Sequence, residues 1–364
     1  MSSTLAADEA CPACSEAERL AAAADCARLE AIGREAKLQP FWTRPAWPVA
    51  QAICSAAGVL ASVVCVSAPV SGLVIAAAAL LLALIDSTRF AVLRRLTPSR
   101  ASQNVLSAPE AGAPQAAVTL ILTAATDDRP ASESRFLPTN LIAANAACIA
   151  LVAACAALRI FGIDNLIVAI VQLVPTLLLL AGILALLRIG GADVSHDASA
   201  VDGVLELAER LGDDPPANLD VAVVLAGAGS AQGAGLRHWL RSRRRSGMRP
   251  ADVAIIHFEP CSEGSPVWWE RDGTVIATGL HPQLRQAAKI AASGEGVHAT
   301  PRSGPDATGA GVARGDGWPA IAVGARDEDG KTGNSSEPGP ATVDFAEALV
   351  RELDSSLSAE ASDD

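Results

Sequence analysis

The sequence predicts an α/β domain that is interrupted by about four transmembrane helices. The stretch VAVVLAGAGSAQGAGL, from Val221 to Leu236, reads as a buried strand followed by a glycine-rich turn, a pattern typical of the edge of an α/β sheet. Four other stretches approach the roughly 20 apolar residues that a helix needs to cross a hydrocarbon core. With 364 residues, the chain has room for one domain of ordinary size and a membrane portion.

The four apolar stretches form two pairs, and each pair is predicted to be a transmembrane hairpin. A turn at Pro69 and Gly72 separates the first pair, and the short segment RIFGIDN joins the second. For the second stretch, a buried core helix is the alternative because the stretch is short. The stretches run from Pro48 to Val66, from Val70 to Ile85, from Leu141 to Leu158 and from Leu166 to Leu187.

Arginines close to these stretches predict which side of the membrane the domain occupies. An even number of spans places the N-terminal segment, the loop between the hairpins and the C-terminal half on one side. That side carries six nearby arginines, whereas the other side offers only Arg159, so the positive-inside rule predicts an integral protein of the cell membrane with a cytoplasmic domain. The six are Arg44, Arg89, Arg94, Arg95, Arg100 and Arg188.

The formal net charge of −12 disfavours nucleic acid as a partner, because such binding depends on a basic surface that neutralises phosphates. One basic cluster stands out, RHWLRSRRRSGMR, from Arg237 to Arg249. The favoured interpretation is the solvated C-terminal end of a helix, where the helix dipole stabilises cations. Contact with anionic lipid head groups is the alternative.

Cys11 and Cys14 form an isolated C-P-A-C motif. No second pair follows at zinc-finger spacing, and no βαβ unit frames the motif. We therefore interpret it as an incidental pair in a frayed N-terminus.

Several segments in order resemble one known family. The segments are SEAERLAAAADCARLEAIGREAKLQPFW (Ser15 to Trp42), ASQNV (Ala101 to Val105), LILTAATDDRP (Leu120 to Pro130), HDASAVDGVLELAERL (His196 to Leu211), the turn within Val221 to Leu236, IIHFEPC (Ile255 to Cys261) and WPAIAVGA (Trp318 to Ala325). Together they resemble metallopeptidase family twenty-eight, the co-catalytic zinc exopeptidases of the bacterial leucyl aminopeptidase type. The resemblance implies the zinc exopeptidase fold, an α/β fold with a mixed sheet flanked by helices.

The resemblance also implies a domain interrupted by its membrane hairpins. Peptidase-like segments are expected at 1–46 (an amphipathic helix and a strand), 89–139 and 189–355, hairpins at 47–88 and 140–188, and an acidic tail at 356–364. Within the last peptidase-like segment, the run from Val343 to Leu353 is predicted to be an amphipathic helix.

At the metal site the resemblance implies replacement of most of the family's functional residues. The general-base position is occupied by Gly229 and the adjacent zinc-ligand position by Ser230. Ala125 occupies the position of a zinc-binding histidine of the family. Asp127 is kept at a position that supports a ligand without binding zinc. The bridging aspartate falls on His196, or on Asp197 after a slip of one residue, and a zinc-binding aspartate falls on Glu259. The family's last histidine ligand has no counterpart, since no histidine follows His298.

These replacements predict a protein that acts by binding or assembly and not by hydrolysis. A two-zinc site needs several imidazole and carboxylate donors and a bridging water that a general base deprotonates. We therefore expect a membrane-anchored pseudo-peptidase without a cofactor. Its expected partners are the lipid bilayer and a peptide or protein.

Two alternatives remain open at this point. The first is an active membrane metallopeptidase of the aminopeptidase type, with zinc held by a rearranged set of Asp127, His196, Asp197, His257 and Glu259. The second is a multi-span membrane scaffold or assembly protein that uses its alanine-rich helices to pack against partners.

Overall fold

The computed structural model divides the chain into two compact units. The sheet unit comprises 1–43, 100–129 and 194–364, and the helical unit comprises 44–99 and 130–193. The structure describes residues 11–87, 92–109, 116, 118–127, 129–130, 141–189, 194–195, 198–273, 277–294, 296–304, 307–327 and 337–363.

The elements are numbered in chain order. They are α1 (Glu16–Ala31), β1 (Ala36–Thr43), α2 (Trp47–Ser67), α3 (Pro69–Asp86), β2 (Arg100–Ser107), β3 (Val118–Ala125), β4 (Arg129–Pro130), α4 (Leu141–Ile160), α5 (Leu166–Ile189), β5 (Val194–Ser195), α6 (Ser199–Asp213), β6 (Leu219–Ala226), α7 (Ala234–Arg245), β7 (Val253–Phe258), β8 (Ser265–Asp272), β9 (Thr278–Gly279), α8 (Pro282–Ala292), β10 (Thr300–Ser303), α9 (Gly309–Gly315), β11 (Ala320–Arg326) and α10 (Pro340–Asp363), with short 3-10 helices at Leu93–Leu96 and Pro250–Asp252.

One mixed sheet organises the sheet unit. Its strand order is β1-β2-β6-β3-β7-β11-β8-β10, and β9 pairs with β8. The four central strands, β6, β3, β7 and β11, are parallel to one another, while β1 with β2, β2 with β6, and β8 with β11 pair antiparallel. The carboxyl ends of the four central strands therefore meet at a single edge, where ligand sites of open α/β sheets are found.

Two apolar layers cover the sheet, one on each face. Strand β3 shows the alternation, because Leu120 and Leu122 join one layer and Ile121 joins the other. Strand β8 does the same with adjacent tryptophans, since Trp268 lies in the first layer and Trp269 in the second. Residues of α1, α6, α8 and α10 complete the first layer, and residues of α7 and α9 complete the second.

Within its described residues, the helical unit contains four helices that are long and apolar enough to cross a membrane. They are α2, α3, α4 and α5, and each begins and ends within two residues of the stretch predicted from the sequence. The alternative of a buried core helix does not suit α3, because Val70, Val74 and Leu81 are largely exposed.

Helix α2 packs against α3, α4 and α5. Its buried face carries Gln51, Ser55, Gly58, Ser62 and Cys65, at alternating spacings of four and three residues. This spacing keeps all five on one side of the helix, so the small and polar residues form the seam along which the bundle packs.

Hydrogen bonds join this seam to its neighbours in two layers. In the first, Ser55 donates to Asn145 Oδ1 at 2.8 Å, and Asn145 Nδ2 donates to Gln51 Oε1 at 3.1 Å. In the second, Gln172 Nε2 donates to the carbonyl of Ser62 at 2.6 Å, and the hydroxyls of Ser62 and Thr176 are 2.6 Å apart. These hydrogen bonds give the polar groups of Gln51, Ser55, Ser62 and Asn145 the partners that an apolar surrounding demands.

The C-terminal helix is longer than the sequence predicted. The sequence predicts a helix from Val343 to Leu353 and an acidic tail at 356–364, whereas α10 runs from Pro340 to Asp363. The physical reason is that the segment SSLSAEASD contains no glycine or proline to end the helix, while its alanines and glutamate favour helix.

The crossing of α2 and α3 provides a test of this packing. A Cβ on Gly72 would lie 2.3 Å from Cys65 Cβ, so Gly72→Ala should lower the free energy of unfolding by about 1–3 kcal/mol through overpacking. Gly182→Ala in α5 is the control, because no atom lies within 4 Å of its added Cβ. Thermal unfolding of the detergent-solubilised chain measures both, and equal midpoints for the two variants would contradict the close crossing.

Candidate functional site

The candidate site lies at the carboxyl edge of the central parallel strands. Asp127 follows β3, the turn beginning at Gly227 follows β6, and Glu259 follows β7. Since β3 pairs with both β6 and β7, these three segments come from neighbouring strands. Of the positions predicted from the sequence, Asp127, Gly229, Ser230 and Glu259 therefore lie at one edge.

Asp127 holds the turn after β6 through two successive backbone amides. The N–H of Gly229 donates to Oδ1, and the N–H of Ser230 donates to Oδ2 at 2.9 Å. The carboxyl is 5% exposed, and burial raises its pKa above the usual range, although the hydrogen bonds from Ser230 and Gly229 oppose that shift. Both oxygens of Asp127 are thus engaged in fixing the turn.

Glu18, at the start of α1, holds the preceding amide of the same turn. Its Oε1 accepts the N–H of Ala228 at 2.5 Å and the hydroxyl of Ser102 at 3.1 Å, and its Oε2 accepts the N–H of Cys14 at 2.7 Å. Burial raises the pKa of Glu18 to about 7, and the negative charge of Asp127 adds to the rise, while the three hydrogen bonds oppose it. Ser15 caps the helix by accepting the N–H of Glu18.

Asn104 of β2 completes the set. Its Oδ1 accepts the N–H of Gly227 at 3.1 Å, and its Nδ2 donates to the carbonyl of Gly235 at 3.1 Å and to Gln39 Oε1 at 3.3 Å. The amide of Asn104 consequently ties the first residue of the turn to the start of α7. Four consecutive amides, 227 to 230, are all bound by side chains.

The interior of the turn has no room for a side chain at position 229. A Cβ on Gly229 would lie 2.5 Å from Ala125 Cβ and 3.0 Å from Asp127 Oδ1. The two positions that the resemblance assigns to a histidine ligand and to the general base are therefore packed against each other. A glutamate at position 229 would require this part of the edge to open.

The N-terminal segment packs against this edge, and the prediction that Cys11 and Cys14 lie in a frayed terminus is wrong. Cys11 is 2% exposed, and its thiol lies 3.5 Å from the carbonyl of Thr126. The pKa of Cys14 is raised to about 12 by burial and by the negative charges of Glu18 and Asp127. Contact with the buried edge of the sheet holds the segment that contains Cys11 and Cys14. No local sequence pattern predicts such a contact.

Glu259 lies in a second cluster at the end of β7. Its Oε1 accepts the N–H of Gly309 at 3.1 Å and lies 3.4 Å from His257 Nε2. Gly309 covers the imidazole so closely that an added Cβ would lie 2.3 Å from a ring carbon of His257. His257 and Glu259 are 3% and 1% exposed, so the pair faces the start of α9 and not solvent.

The described residues do not fit a two-zinc site. Both carboxylate oxygens of Asp127 accept hydrogen bonds from backbone amides, and Glu259 accepts a hydrogen bond from the N–H of Gly309. Among the residues that the structure describes, no three His, Cys, Asp or Glu side chains form a group that could hold a metal ion. The predicted positions His196 and Asp197 lie outside the described residues.

Sequence reasoning missed the residues that hold the turn. Glu18 and Asn104 lie in segments that carried the family resemblance, Ser15 to Trp42 and Ala101 to Val105, so the signal for them was present. Their role was not assigned because it depends on contacts across more than 100 residues of sequence.

Comparison with known proteins identifies the fold. No protein-family model matches the chain, and no curated protein does. An aminopeptidase from Aneurinibacillus sp. strain AM-1 is 10% identical, with a TM-score of 0.50 over 96% of this chain and 90% of that protein. BSAP, a zinc aminopeptidase from Bacillus subtilis, is 9% identical, with a TM-score of 0.47 over 94% and 90% of the two chains.

A Zn-dependent exopeptidase from Parabacteroides distasonis is 11% identical, with a TM-score of 0.46 over 94% of this chain and 91% of that one. At such identities the likeness concerns the fold alone. The predicted fold class, a mixed sheet flanked by helices in the zinc exopeptidase fold, is confirmed.

The buried turn predicts a strong asymmetry between two glycine substitutions. Gly229→Ala should destabilise the chain by about 1–3 kcal/mol, because its Cβ would overlap Ala125. Gly315→Ala, at the end of α9 with no atom within 4 Å of the added Cβ, should be neutral or slightly stabilising. Denaturant unfolding followed by tryptophan fluorescence measures both, and tolerance of alanine at 229 would show that the turn is not closed.

The raised pKa of Glu18 predicts a pH-dependent stability. Its folded-state value of about 7 exceeds the ordinary 4.5, so its stabilising contribution is complete below about pH 4.5 and is lost as the pH rises through about 7. Relative to Glu18→Gln, the wild type should therefore lose of the order of 2–3 kcal/mol between about pH 5 and pH 8.

Unfolding midpoints in detergent across that pH range measure the difference. Glu16→Gln is the matched control, because Glu16 lies in the same helical turn but is fully exposed and its pKa is lowered by its hydrogen bond with Arg19. A parallel pH profile for wild type and Glu18→Gln would contradict the buried carboxyl.

Proposed function

We propose that this chain is a membrane-anchored protein with the zinc exopeptidase fold that does not hydrolyse peptides and acts by binding a peptide or protein. The observation that carries the proposal is the closed turn after β6. The place of a side chain at position 229 is filled by Ala125 and Asp127, and the neighbouring amides are occupied by Asp127 and Glu18. Neither a general base nor free amide donors remain in this turn.

The donor chemistry supports the same conclusion. A hydrolytic zinc centre requires ligands that leave one coordination position for water and a base that takes a proton from it. At the described edge, one carboxylate binds two amides and another is turned toward the start of α9. These carboxylates stabilise loops, which is the role we assign to them.

Anchoring is supported by the outer surface of the helical unit. The exposed side of α5 carries large aliphatic residues along its length, among them Ile167, Leu173, Leu177 and Leu184, each more than half exposed. A surface of this kind is unfavourable in water and suits lipid. We propose that the four helices insert into the bilayer and that the positive-inside arginines place the sheet unit in the cytoplasm.

Metal content and hydrolysis together test the proposal. The detergent-purified full chain should contain well below one zinc per molecule by mass spectrometry, and it should not cleave a panel of aminoacyl and dipeptide fluorogenic substrates. One or two zinc ions per chain with chelator-sensitive turnover would overturn it and favour the active alternative.

Two variants test the alternative outcome, in which the chain binds zinc and hydrolyses the substrates. If zinc is bound by the rearranged set, Glu259→Ala should lose both the metal and the turnover, because Glu259 and His257 are adjacent donors. Lys289→Ala is the control, since Lys289 is exposed on α8, away from the carboxyl edge. Retention of metal by Glu259→Ala would exclude that ligand set.

A further inference from the structure

The sheet unit exposes an apolar stripe on its edge strand. Leu38, Pro40 and Trp42 alternate along β1, so they share one face, and all three are exposed. Trp42 is 73% exposed, more than any other large apolar residue of the sheet unit that the structure describes. An aromatic side chain left so open in a protein with two buried apolar layers indicates a surface that meets something apolar.

The stripe ends where the chain leaves the sheet unit. Trp42 is followed by Thr43, the last residue of that unit on this strand, and Thr43 pairs with Arg100, where the chain returns. Trp47, the first residue of α2, is five residues beyond Trp42, which limits their Cα separation to about 17 Å. The most exposed aromatic residue of the described sheet unit is therefore only five residues along the chain from a candidate membrane span.

The surroundings of Trp42 carry positive charge. Arg44, two residues beyond Trp42, and Arg100, which pairs with Thr43, are both exposed. Tryptophan flanked by cations is the combination found at the head-group level of a bilayer, where the ring is partly in hydrocarbon and the charges meet phosphates.

The larger arginine cluster is less suited to this contact. Helix α7 begins at the carboxyl edge of the sheet, and its 12 residues carry the chain about 18 Å along the helix axis. Arg243 and Arg244 at its far end are instead held over the rings of Trp239 and Trp318. These contacts support the interpretation of the cluster as the solvated end of a helix.

We propose that the stripe formed by Leu38, Pro40 and Trp42 is a lipid-contact surface, with Trp42 inserted at the head-group level of the bilayer that the four helices span. The inference rests on the proposed membrane insertion and adds a second attachment, made by the sheet unit itself. It commits to lipid as the occupant because of the tether to α2 and the flanking cations.

Tryptophan fluorescence of the full chain in nanodiscs tests the inference. The emission of Trp42 is obtained as wild type minus Trp42→Leu, in lipids with and without brominated acyl chains. We expect this component to be blue-shifted and to lose most of its intensity in brominated lipid. A red-shifted component that iodide quenches and bromine does not would overturn the inference.

Two further difference spectra separate this inference from membrane insertion. The Trp47 component, from Trp47→Leu, reports on the first span, and the Trp318 component, from Trp318→Phe, reports on a buried position of the sheet unit that is 2% exposed and should respond to neither quencher. Quenching of Trp47 without Trp42 would reject the lipid-contact surface and leave insertion intact. Absence of bromine quenching at both would reject insertion as well.

Discussion

The sheet unit depends on one constraint: four consecutive backbone amides in the turn after β6, two of them buried and two half-buried, need hydrogen-bond acceptors. An unpaired buried N–H costs about as much free energy as a lost hydrogen bond, so each such N–H needs an acceptor. Here the acceptors come from α1, β2 and the segment after β3, in the side chains of Glu18, Asn104 and Asp127. Because these residues lie 102 to 210 positions away in sequence, satisfying the turn also fixes how the N-terminal helix and the edge strands meet the central sheet.

Much of this architecture could be predicted from the sequence, because local sequence patterns determine it. Hydrophobic runs and glycine turns predict the strand that ends at Ala226 and the four apolar helices. The order of the motifs along the chain predicts the zinc exopeptidase fold. The partners of Glu18 and the direction of Glu259 could not be predicted, because they depend on strand register and on loops that approach from distant sequence. The same reason explains Cys11, whose burial arises from contact with Thr126.

The helical unit shows a related limit. Hydropathy identifies α2 as a candidate membrane span, but it averages over the helix and hides the seam from Gln51 to Cys65. That seam alternates four and three residues, so its small and polar side chains meet α4 and α5 while the apolar side chains face outward. Packing and hydrogen bonding of this kind are what specify helix bundles in lipid, where no hydrophobic force draws helices together.

Mutually dependent residues close the carboxyl edge around Gly229. Alanine at 125 is compatible with glycine at 229 because neither needs space, and Asp127 can bind the turn because no side chain at 229 intervenes. A carboxylate introduced at 229 would displace Ala125 and break the hydrogen bonds of Asp127 together, leaving the two half-buried amides of residues 229 and 230 without their acceptor. The cost of that change falls on the same turn that ties α1 and β2 to the sheet, so the stability of the fold itself opposes a catalytic group at this position.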